Sequence, residues 1–286
     1  MNIQFLISSL FFSLALCSSL FTSPLPHATP PSSKGYKRIQ CTIKPVDRKT
    51  ESGSHTRIPG PKRANRAQAS STNWSGYAAA TDMNNPAANS VSAVYGSWIV
   101  PKIQSSKTNS YCAFWVGIDG YSNATVEQIG TSHNYINGKQ QHYAWFEMYP
   151  ENSYMLVGFP LAVGDVISAS VVYAGDGVFT LSIQNDTQQL TTTIPASYTT
   201  SADAERSSAE WVVEAPYLNG ILPLSNFGYG YLWGCLATIN GVLASLNNSS
   251  WENISIEMVT NNGTSKAAPS LPLQDNGSFF MTWAHR

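Results

Sequence analysis

The chain has 286 residues, 43% of them hydrophobic and 12% charged, enough for one large domain or two small ones with a sizeable core. Its formal net charge of −1 hides an asymmetry: residues 23–68 hold ten Lys/Arg against two acids, a net of +8, whereas residues 69–286 hold six against fifteen, a net of −9. The acidic balance of the larger part excludes a nucleic-acid face, and the absence of a CxxC pair or an HExxH helix leaves no local zinc signature.

Residues 1–22 open the chain as MNIQFLISSLFFSLALCSSLFT, apolar from Phe5 to Phe21, followed at once by SPLPHATPPSS. That length suits the apolar region of a signal peptide better than a membrane span of about 20 residues. No Lys or Arg precedes it, which leaves an uncleaved anchor as the alternative. Secretion is expected, with no membrane contact once the signal is removed.

Residues 23–70 are rich in Pro, Ser, Lys and Arg and show no apolar period of either kind. They read as a linker or basic propeptide, with Lys37-Arg38 and Lys62-Arg63 as dibasic processing points. A basic tail for nucleic acid or a surface is the alternative, against which secretion argues.

Residues 71–286 change character. Short alternating runs recur, among them NSVSAVYGSWIVP, YCAFWVGID, HYAWFEMYP, DVISASVVYAG, GVFTLSIQN, AEWVVEAP and ISIEMVT, separated by Gly, Asn, Asp and Pro. Runs of this length and spacing predict a single all-β domain, an antiparallel sandwich. Asp176-Gly177 between two of them predicts a tight hairpin. Cys112 and Cys235 are the two cysteines of this part; secretion permits a disulfide between them, and spacing does not require one. Eight sequons, Asn73 and Asn185 among them, are glycosylation points only in a eukaryotic secretory route.

Several chemistries are excluded by what is missing. There is no G-x-S-x-G elbow, no pair of D-T/S-G turns and no glycine-rich phosphate loop. Both cysteines lie in strongly apolar strands, where a structural role outweighs a nucleophilic one. Carboxylates on sheets remain. AWFEMYP places Trp145, Glu147 and Tyr149 on one strand face, so a glutamate lies between aromatics. SSAEWVVEAPY places Glu210, Val212 and Glu214 on one face and Ala209, Trp211 and Val213 on the other. A carboxylate held among large apolar side chains loses water, and its pKa rises. Such groups suit hydrolysis of glycosides or of peptides. Glu210 and Glu214 are about 13 Å apart on an extended strand, too far for the carboxyl pair of a glycosidase, which needs about 5 to 10 Å. Glu147 with Glu214, on neighbouring strands, remains open as such a pair, and a non-catalytic carbohydrate-binding sandwich is a third reading.

Five stretches, NWSGY from Asn73, WVGIDG from Trp115, VEQIG ending at Gly130, AWFEMYP from Ala144 and AEWVVE from Ala209, stand in the order and at about the spacing found in the glutamic peptidases called eqolisins. The chain resembles that family over about residues 72–286. The resemblance implies an acid-active endopeptidase without metal or cofactor, acting on polypeptides. It implies a lectin- or concanavalin-like jelly roll of two large bent antiparallel sheets. Its catalytic dyad would be Gln128 and Glu214, with Trp115, Asp119, Trp145, Glu147 and Tyr149 lining the cleft and Glu210 in a supporting or merely solvated role. A monomer is expected, with the basic propeptide as its own inhibitor. Two departures stand out: Ser132 replaces the acidic residue the family has shortly after the glutamine, and no acidic run follows Glu214.

Overall fold

A computed structural model of the chain describes residues 30–46, 62–63 and 68–285. The signal peptide expected over residues 1–22 lies outside the described residues. Nineteen strands and no helix are found among the described residues. In chain order they are β1 (Lys37–Arg38), β2 (Thr42–Pro45), β3 (Lys62–Arg63), β4 (Gln68–Ser71), β5 (Trp74–Ala80), β6 (Val91–Ile99), β7 (Ala113–Ile118), β8 (Val126–Ile136), β9 (Lys139–Tyr149) and β10 (Tyr154–Val157). There follow β11 (Val166–Gly175), β12 (Val178–Asn185), β13 (Leu190–Ala196), β14 (Ser208–Glu214), β15 (Tyr229–Ile239), β16 (Val242–Ser245), β17 (Glu252–Val259), β18 (Ser265–Pro269) and β19 (Phe279–Trp283).

The strands form two layers. The first runs β4-β17-β5-β14-β7-β8-β9-β10-β2. The second runs from β15 through β6, β11, β12 and β13 to β1, with β16 and β19 along the other side of β15. Strand β18 joins β17 to β19 and makes the two layers continuous at one end. The result is the expected all-β sandwich. Alternation explains the layering: Phe114, Val116 and Ile118 of β7 and Ala209, Trp211 and Val213 of β14 enter the inter-layer core with Val94, Val171 and Leu181 of the second sheet.

The Asp176-Gly177 hairpin forms as expected, with φ of 52° and 73°, the left-handed pair that a two-residue turn between right-twisted strands requires. Asn137-Gly138 and Asn240-Gly241 close β8–β9 and β15–β16 by the same geometry.

The N-terminal basic segment carries more order than its composition suggests. Strand β1 pairs in parallel with β13, at the margin of the second sheet, and β2 pairs antiparallel with β10, at the margin of the first. Ile39 and Cys41, between them, pack against the core, and Val46 is buried. Strand β4 pairs in parallel with β17 at the opposite margin of the first sheet, so the domain boundary expected at residues 70/71 falls inside a strand. Edge pairing uses backbone groups, which any side chain permits, and this is why hydrophobic period did not signal it. The two cysteines Cys112 and Cys235 are buried free thiols. Asn73 and Asn185 are buried, so those two sequons are not available surface sites in this fold.

Candidate active site

The face of the first sheet turned away from the inter-layer core carries a second apolar cluster, including Trp74, Ala78, Trp115, Trp145, Val212 and Ile256. The motif residues stand on this face in three cross-strand rows. One row reads Ala78, Glu210, Gly117, Gln128, Glu147 across β5, β14, β7, β8 and β9. The next reads Gly76, Val212, Trp115, Gly130, Trp145, and the third Trp74, Glu214, Ala113, Ser132, Tyr143.

Glycine makes room in the first two rows. A Cβ on Gly130 would lie 2.5 Å from Trp115 Cβ and 2.3 Å from the Phe114 carbonyl oxygen, so only glycine fits beside the Trp115 side chain. Gly117 leaves the space between Glu210 and Gln128 without a side chain; a Cβ there would stand 3.2 Å from Gln128 Cβ and 3.0 Å from the Trp115 ring.

Gln128 and Glu147 are fully buried, and Gln128 Nε2 donates to Glu147 Oε2 at 2.9 Å. Gln128 Oε1 is buried with no hydrogen-bond partner. An unpartnered buried acceptor costs about 1–3 kcal/mol, so Gln128 Oε1 is open to a polar hydrogen-bond donor.

Glu214 is also fully buried. Its Oε2 accepts from Trp115 Nε1 at 2.9 Å and its Oε1 from Asn73 Nδ2 at 3.1 Å. Burial pushes its pKa up to about 8, against the opposing pull of the Trp115 and Asn73 hydrogen bonds. Trp115 is thus both a core aromatic and a donor, stacked edge-on to Trp74 with ring centroids 4.9 Å apart.

The register separates residues that the sequence brought together. Gln128 and Glu214 lie two strand spacings apart across the sheet and four residues apart along it, about 16 Å between backbones. Glu210 shares the row of Gln128, two spacings or about 10 Å away, with only glycine between. Glu147 and Glu214 are not on neighbouring strands: β8 and β7 intervene, and their rows differ, which removes that pair as glycosidase carboxyls. Asp119 also departs from the expected cleft lining. Left-handed at the end of β7 with φ of 70°, it accepts from the backbone N–H groups of Arg206 at 2.6 Å and Ser207 at 2.7 Å and from Asn123 Nδ2 at 2.6 Å. Its carboxylate ties the loop before β14 to β7. Burial raises its pKa against those bonds. Trp145 is buried on the site face, and Tyr149 packs at its border, its carbonyl accepting from Tyr198 Oη at 2.8 Å. Asn73, in the NWSGY stretch, is a contributor the sequence gave no reason to single out; only its contact with Glu214 reveals it.

The fold matches known proteins. A family model described as the Peptidase A4 family matches residues 72–272. The chain belongs to the Peptidase A4 family. It is therefore a peptide hydrolase of the glutamic type. Scytalido-glutamic peptidase, solved with a transition state analog inhibitor, superposes with a TM-score of 0.62 at 22% identity, covering 74% of this chain and 98% of that one. SCP-B, an eqolisin solved with the tripeptide Ala-Ile-His, gives 0.59 at 20% identity, covering 74% and 98%. Aspergilloglutamic peptidase from Aspergillus niger gives 0.55 at 22% identity, covering 61% and 99%. At these identities the likeness is one of fold. No curated protein sequence matches the chain. Among the described residues, no group of three or more His, Cys, Asp or Glu is placed to hold a metal, and no helix is long and apolar enough to cross a membrane.

Proposed function

We propose that the chain is a secreted, acid-active endopeptidase whose dyad is Gln128 with Glu210, and that Glu214 holds the supporting role the sequence gave to Glu210. The observation that carries this reading is the row Glu210–Gly117–Gln128, in which only a glycine stands between the two groups, while Gln128 Oε1 is buried without a hydrogen-bond partner. The carboxylate of Glu210 takes a proton from the water as it attacks, then returns it to the leaving amine. Gln128 Oε1 accepts the water's other O–H. The Nε2 hydrogen not given to Glu147 donates to the developing oxyanion. An amide does not titrate, so this half of the dyad survives strong acid.

The basic segment 23–70 is proposed as propeptide and inhibitor. What supports this is its net of +8 against −9, the anchoring of β2 and β4 on opposite margins of the site-bearing sheet, and the complete burial of Gln128, Glu147, Glu210 and Glu214 in the full-length chain. Acid protonates carboxylates and weakens the attraction. A peptide of residues 23–70 is expected to inhibit the mature enzyme at pH 6 and to lose that effect at pH 3; equal inhibition at both would refute the electrostatic release. The activity itself is tested by incubating an acid-denatured protein with the processed enzyme at about pH 3–4 in the presence of pepstatin. Cleavage is expected. A folded, processed enzyme that cuts nothing across the acid range would overturn the reading.

A further inference from the structure

Lys266 is one of six cationic side chains in residues 69–286. It lies on β18, 6% exposed, and its Nζ has a single hydrogen bond, a long one of 3.5 Å to the carbonyl oxygen of Thr72. Among the described residues no carboxylate reaches it, although fifteen acids lie in the same part of the chain. A buried ammonium with three donors and one weak acceptor is expensive unless something else completes it.

What it borders is a cavity of about 470 Å³ whose walls include Thr72, Ile221, Leu222, Pro223, Lys266 and His285. Ile221, Leu222, Pro223 and Val259 beside Lys266 suit an anion carried on an apolar stem, with Thr260, Asn261 and His285 as further polar wall groups. Burial without a counter-charge lowers the Lys266 pKa to about 8, which leaves it charged throughout the acid range. The cavity adjoins the site through the backbone: Thr72 precedes Asn73, which holds Glu214, and Glu214 stands four residues along β14 from Glu210. Thr72 is therefore some six residues, about 20 Å, along the sheet from the Glu210 row. An extended peptide covers that span with about six residues.

We propose that the Lys266 cavity is an anion subsite of the peptidase, taking a carboxylate of a bound peptide about six residues from the bond that is cut. The carboxylate belongs to an Asp or Glu side chain or to the peptide's C-terminus. Lys266 selects substrate and takes no part in the chemistry. The proposal rests on the peptidase reading for its purpose, but its binding test does not require turnover.

The test is calorimetric titration at pH 5 of the processed protein carrying Glu210→Gln so that ligands survive. Three peptides of one sequence are compared: a free C-terminal carboxylate, a C-terminal amide, and an amide with an internal Asp six residues from the scissile position. Tighter binding of either carboxylate peptide by about ten- to hundredfold over the plain amide is expected, and which one gains identifies the source. Lys266→Met in the same background is expected to erase that preference while amide binding is kept. Equal affinity for all three peptides, or a preference that survives in folded Lys266→Met, overturns the proposal. If Lys266→Met does not fold, the comparison of the three peptides on Lys266-containing protein decides alone. Carboxylate-dependent binding without hydrolysis by the Glu210-containing enzyme would sink the peptidase reading and spare the subsite.

Discussion

Glu210 and Gln128 face the same side of one sheet across a strand whose intervening residue is Gly117. The proposed dyad holds the water and the peptide bond between these two groups, over that glycine, and this gives the first prediction. Gly117→Ala puts a methyl 3.2 Å from Gln128 Cβ and 3.0 Å from the Trp115 ring, close but not prohibitive. The variant is expected to fold, with a loss of at most about 1–3 kcal/mol for overpacking, and to lose at least about tenfold in kcat/KM because the gap is filled. Thermal unfolding and peptide hydrolysis measured together check it. Full activity would show that the reacting groups do not meet there.

The raised pKa of Glu214 links it to stability. Its folded value, about 8, exceeds the ordinary carboxyl value of 4.5, so the neutral form favours folding. That contribution is complete below about pH 4.5 and is lost as pH rises towards 8, by a few kcal/mol in order of magnitude. Glu214→Gln keeps the shape without the titration. It is expected to unfold at a higher temperature than the parent at pH 8 and to differ little from it at pH 4. A parent-like loss of stability between pH 4.5 and 8 in that variant would assign the effect to other carboxyls.

A buried histidine pair works in the opposite sense. Trp98 Nε1 donates to Thr131 Oγ1 at 2.8 Å, Thr131 Oγ1 pairs with His133 Nε2 at 2.8 Å, and His133 Nδ1 pairs with His142 Nδ1 at 2.9 Å. Burial, reinforced by the positive charge His142 would carry, holds the His133 pKa well below its usual 6.5. A depressed histidine stabilises the fold while neutral, and that stability is lost as pH falls below about 6.5 towards the folded value. His133→Gln is expected to flatten the fall in unfolding temperature between pH 6.5 and pH 3, at some cost in stability near neutrality. An unchanged acid limb would remove the pair as the acid-limiting element.

Much of the architecture was legible because it rests on local pattern. The alternation in Ser208–Glu214 assigned every side chain to its face, and Asp176-Gly177 marked its hairpin. Strands β1 and β2 were not legible, since backbone pairing at a sheet margin asks nothing of Lys37, Arg38 or Thr42. The site was legible only to the level of its face. Motif matching named Gln128 with Glu214 as the dyad and Glu210 as its neighbour; the proposed pairing of Gln128 with Glu210 rests instead on the register of β14 against β7 and β8, strands some 90 residues apart. That register is set by pairing over the whole sheet. Asp119 was legible only in part for a related reason: the motif WVGIDG shows a carboxylate at a strand end, and only the returning loop at Arg206 and Ser207 shows what it holds.

The central claim is the assignment of the dyad, and its most direct test is a side-by-side assay of Gln128→Ala, Glu210→Gln and Glu214→Gln on an acid-denatured protein at about pH 3.5, with folding of each variant verified. Loss of about 10²–10⁴-fold or more in the Gln128 and Glu210 variants, with measurable turnover left in the Glu214 variant, is the expected result. Robust cleavage by Glu210→Gln together with an inactive, folded Glu214→Gln would contradict it.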